Sequence, residues 1–278
     1  MGQTMSIWPI QAITLEVAPL LPGFTIEVLS EIDSTNSELM RRIRAGWRDP
    51  VLLVAGRQTA GRGRLGREWQ SNRPGKVDGA AGEAGADRGW HALTFSLALA
   101  LAPKDWSGLS LAMGVSVACS LHPELQLKWP NDIWLRERKL AGILIETASF
   151  AGRRYAVIGI GINLVPRDGA GMRTPPAALD ELLPAPAGPA VLRSLVADLV
   201  RAVLLFEARG FAPFQAAFEA RDVLRGRDVV LSDGMAGSAA GVDVSGALLV
   251  HTSLGMKVIT SAEVSVRPVG TNVSATGS

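Results

Sequence analysis

Cysteine is almost absent: Cys119 is the single one in 278 residues. An intramolecular disulfide is therefore impossible, a cysteine-rich metal site is excluded, and a reducing compartment is expected. Long apolar runs are missing too. The richest, residues 93–102, falls well short of the roughly 20 residues a membrane-spanning helix needs. No cationic segment followed by an apolar stretch opens the chain, so a cytoplasmic protein is expected. Charge of one sign is scarce as well. With 28 basic against 26 acidic residues the net charge is +2, too little for wholesale nucleic-acid binding, and any basic site must be local. Residues 71–89 hold almost no large apolar side chain and are expected to form a disordered surface insertion. Residues 1–6 fit a myristoylation pattern and Asn272-Val273-Ser274 a glycosylation sequon, but patterns this short recur by chance and nothing else supports them.

What is present is a hydrophobic fraction of 47%, ample for a core. A distinctive stretch is Gly56-Arg57-Gln58-Thr59-Ala60-Gly61-Arg62-Gly63-Arg64-Leu65-Gly66-Arg67-Glu68-Trp69, which follows the apolar run at 51–55. Glycine lets the backbone approach a ligand closely, and arginine presents planar donor forks suited to carboxylates and phosphates. A mobile cationic loop leaving a buried strand, facing an anionic small molecule, is the reading.

Around it, residues 1–23 carry Pro9, Pro19 and Pro22 without a clear period and read as an arm. Residues 24–29 and 51–56 read as strands. Thr35 with Glu38 fits a capping box for a helix ending near Gly46. Alternation over 90–100 predicts a strand with one face in the core, and 107–121 a helix. Runs at 125–135, 139–147 and 155–164 are β-rich, with a hairpin turn at Arg136-Glu137-Arg138 between the first two. Such short connections imply a mixed or antiparallel sheet. A proline-rich segment at 166–189 holds at most a short helix near 177–182, helices follow at 191–209 and 211–221, and five short β runs after Val223 predict a small barrel. Asp243-Val244-Ser245-Gly246 fits a hairpin turn there. The expected domains are the arm, a main domain over 24–221, a C-terminal domain over 222–268 and a tail over 269–278.

Several motifs have two readings. Gly61-x-Gly63-x-x-Gly66 formally matches a dinucleotide fingerprint, but Arg67-Glu68-Trp69-Gln70 runs into a Gly/Pro segment with no helical apolar period, so no helix N-terminus can face a pyrophosphate. No Gly-Lys-Ser/Thr ends the loop, which removes the P-loop reading. As an RNA-contacting segment it lacks interleaved aromatics. Lys128-Trp129-Pro130-Asn131-Asp132 is by itself either an edge strand bulged at Pro130 or part of a site. Gly142, and the pair Gly159 and Gly161 before Asn163, interrupt apolar strands, either as bulges or where something packs closely. Ser34 and Thr35 are either caps alone or a polar ligand site at a helix start.

Together, Ser34-Thr35-Asn36, Gln58-Thr59-x-Gly61-Arg62-Gly63-Arg64-x-Gly66-Arg67-x-Trp69, Lys128-Trp129-Pro130-Asn131-Asp132, Arg138-Lys139-Leu140-Ala141-Gly142-Ile143-Leu144 and Gly159-x-Gly161-x-Asn163 resemble the biotin protein ligases in order and approximate spacing, over about residues 24–268. The resemblance implies an α+β fold, a mixed or antiparallel central sheet flanked by helices in the class II synthetase-like biotin/lipoate ligase manner, with a C-terminal SH3-like barrel. It implies ATP-dependent conversion of biotin to biotinyl-5′-AMP and transfer to a lysine of a biotin carboxyl carrier domain of acetyl-CoA carboxylase or another biotin-dependent carboxylase, with Mg2+. By the same resemblance Ser34, Thr35 and Gln58 bind the ureido ring. Asn36, Gly61 and Gly63 belong to the binding motifs, and Arg62, Arg64 and Arg67 to the loop that orders over the ligands. Lys139 holds the biotin carboxylate beside Gly142. Lys128, Asn131 and Asp132 face ATP, its magnesium and the incoming lysine; Asn163 faces adenosine, and Trp69 packs under the adenylate. Arg64, Lys139 and Asp132 are the expected catalytic residues, with Asp132 serving either the acceptor lysine or the metal. The family's DNA-binding domain has no counterpart here, so no DNA partner is expected, and a monomer or homodimer fits. The alternatives are a lipoate or octanoate ligase or transferase, a nucleic-acid-binding module, and a biotin-binding protein without catalysis.

Overall fold

The structure is a computed structural model that describes residues 8–71, 90–166, 176–260 and 266–268. Its centre is a seven-stranded sheet in the order β1(Thr25–Ile32), β2(Val51–Gln58), β3(Ala92–Ala100), β7(Arg153–Asn163), β6(Arg138–Phe150), β5(Asp132–Leu135), β4(Gln126–Lys128). The β1–β2 pair is parallel and the other neighbours antiparallel, so the mixed sheet expected from short connections is the one formed. The parallel pair needs a crossover, which α2(Thr35–Arg44) provides.

β3 departs from the one-sided strand its alternation predicts. It lies between β2 and β7, and its first eight residues are buried on both faces. Thr94 and Ser96, which alternate with Leu93, Phe95 and Leu97, face the interior of the protein and not water. The 125–135 run is likewise two strands, not one. β4 turns at Trp129-Pro130-Asn131 into β5, setting Lys128 opposite Asp132, and the Trp129–Pro130 peptide is cis. The next turn, Arg136-Glu137, falls where predicted, with φ of 47° and 63°.

One face of the sheet carries α3(Leu109–Leu121), which packs on the 22-residue α4(Gly188–Arg209). Pro189 opens α4, where a missing N–H costs nothing, and Gly210 (φ 65°) closes it. The expected N-terminal arm is a correction: residues 10–17 form a helix, α1(Ile10–Val17), and Trp8, Ile13 and Val17 belong to the main core, with α1 against α4. The prolines lie outside the helix and had masked its short period. The second core, beneath α2, joins Leu39, Met40 and Ile43 to Val51, Leu53 and Val157.

After α5(Gln215–Glu219) comes a five-stranded antiparallel sheet in the order β11(Gly255–Ile259), β10(Leu248–Thr252), β9(Ala236–Val242), β8(Asp228–Leu231), β12(Val266–Pro268). It fits an SH3-like unit, and its described ladder is an open series of strands. The predicted turn joins β9 to β10: Gly246 takes φ 85°, and Asp243 Oδ1 accepts from the Ser245 and Ala247 amides. This unit is fastened to the larger one by backbone-close packing. Trp129 Nε1 donates to Gly246 O at 3.1 Å, and a Cβ on Gly108 would sit 2.7 Å from Ser245 O. Of the expected insertion at 71–89, residues 72–89 lie outside the described residues, as does the tail at 269–278.

Candidate functional site

Above β3, β7 and β6, the start of α2 and the arginine loop enclose a cavity of about 140 Å³. Its first wall is built by α2. The helix cap is Ser34, one residue before the predicted Thr35: Ser34 is extended (φ −159°) and its Oγ accepts from the Ser37 amide at 3.4 Å. That frame releases the Thr35 and Asn36 side chains for the site. Gln58 Oε1, at the end of β2, accepts from Thr35 N (2.8 Å) and Thr35 Oγ1 (3.1 Å). Ser96 Oγ lies 2.7 Å from Thr35 Oγ1 and donates to Asn36 Oδ1 at 2.6 Å. Thr35, Asn36 and Ser96 are all buried, so this end is a neutral, hydrogen-bonded polar network in which each partner offsets the desolvation of the next.

The floor is apolar and lacks side chains at two points. A Cβ at Gly159 would stand 2.2 Å from Asn36 Oδ1, and one at Gly161 would stand 2.3 Å from Trp69 Cε2. These strand glycines are therefore slots, one for an amide and one for an indole. Gly142 is a milder case: a Cβ there would meet the end of the Lys139 side chain, at 3.1 Å from Nζ. Phe95, Ile143 and Ile160 complete this middle section.

The far end is cationic. Lys139 Nζ contacts Asp132 Oδ1 at 2.7 Å and lies 5.9 Å above the Trp69 ring. Arg62, Arg64 and Arg67 come from the loop, which folds into a small hairpin of its own: Gly63 N donates to Arg67 O and Trp69 N to Gly61 O. Leu65 and Gly66 both have positive φ (57° and 70°) at its tip. A Cβ on Gly61 would lie 2.2 Å from Trp69 O, so the glycine spacing serves hairpin closure, with no α-helix after it. Burial pulls the Arg64 guanidinium below its ordinary pKa, the Asp132 charge opposes that, and Arg67 adds to it.

Of the residues singled out in the sequence, Ser34, Thr35, Asn36, Gln58, Arg62, Gly63, Arg64, Arg67, Trp69, Asn131, Asp132, Lys139 and Gly142 line this one cavity. Three do not. Gly61 closes the hairpin. Lys128 sits with its Nζ 4.9 Å above the Trp134 ring, on the edge strand β4 beyond the cavity lining. Asn163 is fully buried, its amide donating to Ala177 O (3.0 Å) and Lys139 O (3.4 Å), while its Oδ1 has no donor among the described residues. Four further contributors were not foreseen as site residues. Thr94 and Ser96 were masked inside an apolar strand, Glu146 by its place two residues past a motif, and Ser71 by the composition change beside it. Ser71 Oγ accepts from Gln58 N at 2.7 Å.

A cavity with a neutral polar end, an apolar middle and a cationic end, set on a mixed sheet with helices on its faces, defines the class of biotin and lipoate ligases, and residues 81–163 match the Biotin/lipoate A/B protein ligase family. A biotin--[acetyl-CoA-carboxylase] ligase of Paracoccus denitrificans is 34% identical over 246 residues, 85% of this chain and 98% of that protein. The bifunctional ligase/repressor BirA of Escherichia coli is 33% identical over 275 residues, 93% of this chain and 79% of its own length. A solved biotin protein ligase from Aquifex aeolicus, in complex with biotin and ATP, superposes with a TM-score of 0.69 at 29% identity over 87% of this chain and 98% of its own. The chain belongs to the biotin protein ligase family.

Proposed function

We propose that this protein activates biotin with ATP to biotinyl-5′-AMP and transfers the biotinyl group to one lysine of a biotin carboxyl carrier domain, in the cytoplasm. The observation that carries the reading is the order of chemistry along a single cavity. Its neutral end suits the ureido group, its apolar middle the ring sulfur and valeryl chain, and its cationic end the carboxylate and α-phosphate. An acyl chain ending in a dithiolane or a methyl group would leave the buried Thr35–Gln58 network facing nothing polar, which disfavours lipoate or octanoate. An RNA-binding loop would point its arginines outward, whereas these arginines line the cavity.

In the first step a biotin carboxylate oxygen attacks the α-phosphorus and pyrophosphate leaves. Two anions must approach, so the residues' task is positioning and charge neutralisation. Lys139 exchanges its pairing with Asp132 for the biotin carboxylate, and Arg64 and Arg67 take the phosphoryl oxygens. Trp69, seated on Gly161, supports the adenylate. In the second step the acceptor amine attacks the anhydride carbonyl, AMP leaves, and the amine's proton passes to Asp132 once Lys139 has released it. Among the described residues no group of three or more His, Cys, Asp or Glu could hold a metal. Asp132, a carboxylate on the cavity wall, fits Mg2+, which needs few protein ligands when phosphates and water supply the rest. Asp132 would hold it in the first step, before its role toward the amine, and bound there it would neutralise phosphate charge. The catalytic unit, on this reading, comprises residues 8–221, and residues 222–268 form a separate C-terminal unit.

The test is biotin-dependent ATP/pyrophosphate exchange, followed by transfer to a purified biotin carrier domain. Exchange and transfer together support the function. Biotin binding without exchange would replace it with a non-catalytic biotin-binding role.

A further inference from the structure

Glu146 sits at a junction that the reaction above does not use. Its two carboxylate oxygens address different elements: Oε1 pairs with the Arg62 guanidinium on the loop, and Oε2 accepts from Asn36 Nδ2 on α2 at 3.0 Å. From Asn36 the contacts run inward without a break. Asn36 Oδ1 accepts from Ser96, Ser96 touches Thr35, and Thr35 meets Gln58. Gln58 N then donates to Ser71 Oγ, and Ser71 Oγ donates back to Gln58 O at 3.2 Å. Since the loop leaves β2 after Gln58 and returns at Ser71, the chain of contacts is closed. The loop is held at both feet by Gln58 and Ser71 and at its middle by Glu146.

We propose that Glu146 is a positioning residue that couples occupancy of the polar end of the cavity to the placement of the arginine loop, and so sets the affinity for biotin. The proposal rests on the biotin reading above. An ordinary surface ion pair contributes little, because two long side chains must be immobilised to form it. Glu146 differs in that its other oxygen is already anchored by a buried amide. Asn36 is 3% exposed, is also bonded to Leu144 O (3.3 Å), and occupies a slot that exists because residue 159 is glycine. A ligand that engages Thr35 and Gln58 therefore acts on a network with little freedom, and Glu146 is the member of that network that reaches the loop.

The experiment uses the full chain and, besides Arg62→Ala and its double variant with Glu146→Ala, two single variants, Glu146→Ala and Glu146→Gln. The second keeps an oxygen for Asn36 and removes the charge that faces Arg62. Two quantities are measured: KM for biotin and kcat in ATP/pyrophosphate exchange, and amide hydrogen exchange of residues 59–69 with and without biotin alone. Both variants are expected to raise KM about tenfold, the size of one charged hydrogen bond, with kcat changed less than about threefold. Both lose the slowing of loop exchange by biotin, and adding Glu146→Ala to Arg62→Ala produces no further rise. Unchanged KM and loop protection would overturn the proposal. So would effects that add to those of Arg62→Ala, or a Glu146→Ala that unfolds while Glu146→Gln behaves as wild type. If the wild-type chain binds biotin and protects its loop but gives no pyrophosphate exchange, the catalytic reading fails while the coupling stands.

Discussion

The two ends of the cavity are built on opposite principles. At the neutral end, Thr35, Asn36 and Ser96 are buried and already hydrogen-bonded to one another. At the cationic end, Lys139 and Arg62 are about half exposed and paired with Asp132 and Glu146. Burying a neutral polar group is tolerable once it is hydrogen-bonded, whereas burying a charge costs far more. A neutral ligand group can thus be met by a fixed, dry template. Anionic groups are met by cations that stay partly wet, of which Lys139 is held by a carboxylate it can leave.

That contrast can be broken most forcefully at Lys139. Lys139→Ala should lower biotin-dependent pyrophosphate exchange by about 10²–10³-fold, the cost of deleting a donor aimed at developing charge, with circular dichroism unchanged; near-normal exchange would deny the cationic end its role. A half-buried carboxyl away from the cavity sharpens the rule. Burial pushes the Asp222 carboxyl up to about 6, with hydrogen bonding from Leu224 and the Arg225 charge opposing it. The folded state then holds its proton more tightly than the unfolded chain does. Stability contributed by the protonated form should be full below about pH 4 and decline as pH rises to about 6, on the order of 2–3 kcal/mol in all. Asp222→Asn should flatten this segment of the stability–pH curve in chemical denaturation and stabilise the protein at pH 7. A slope that persists in the variant would assign it to other groups.

Ser96→Ala tests the neutral end, where removing a buried hydroxyl leaves Asn36 Oδ1 without its donor. The expected cost is about 1–3 kcal/mol in denaturation, with weaker biotin binding by calorimetry. At the small end is Arg57→Ala. Arg57 pairs with Glu31 at 2.6 Å with side-chain exposures of 39% and 51%, and its removal should cost less than about 1 kcal/mol. A loss as large as that of Ser96→Ala would erase the distinction between wet and dry polar contacts.

Much of the site was legible because its parts are local. The arginine loop, the Lys-Trp-Pro-Asn-Asp turn and the strand glycines each need several residues in a row, so composition exposes them. Ser96 and Glu146 were not legible, because each is one polar residue in a strand and its partners are 60 and 110 positions away. In the fold, the mixed sheet and the short C-terminal strands followed from connection lengths and turn residues. The burial of β3 on both faces did not, since alternation reports one covered face and is silent about a helix packed on the other. Lys128 and Asn163 show the same limit within a motif: Lys128 lies opposite Asp132 on the edge strand and Asn163 two residues past Gly161 at a strand end, so both share the cavity's side of the sheet but lie beyond its lining, a lateral distance that sequence spacing does not report.

The sequence by itself determined which chemistry this chain carries: the arginine loop, the lysine after the hairpin, the helix-start hydroxyls, and the near-absence of cysteine that rules out other sites. The tertiary structure alone decided which of these groups meet, which carboxylates hold the cations, and why residues 159 and 161 are glycine. The reason is that a hydrogen bond or a steric slot depends on distances of about 3 Å between atoms that the chain brings together only when its strands pair.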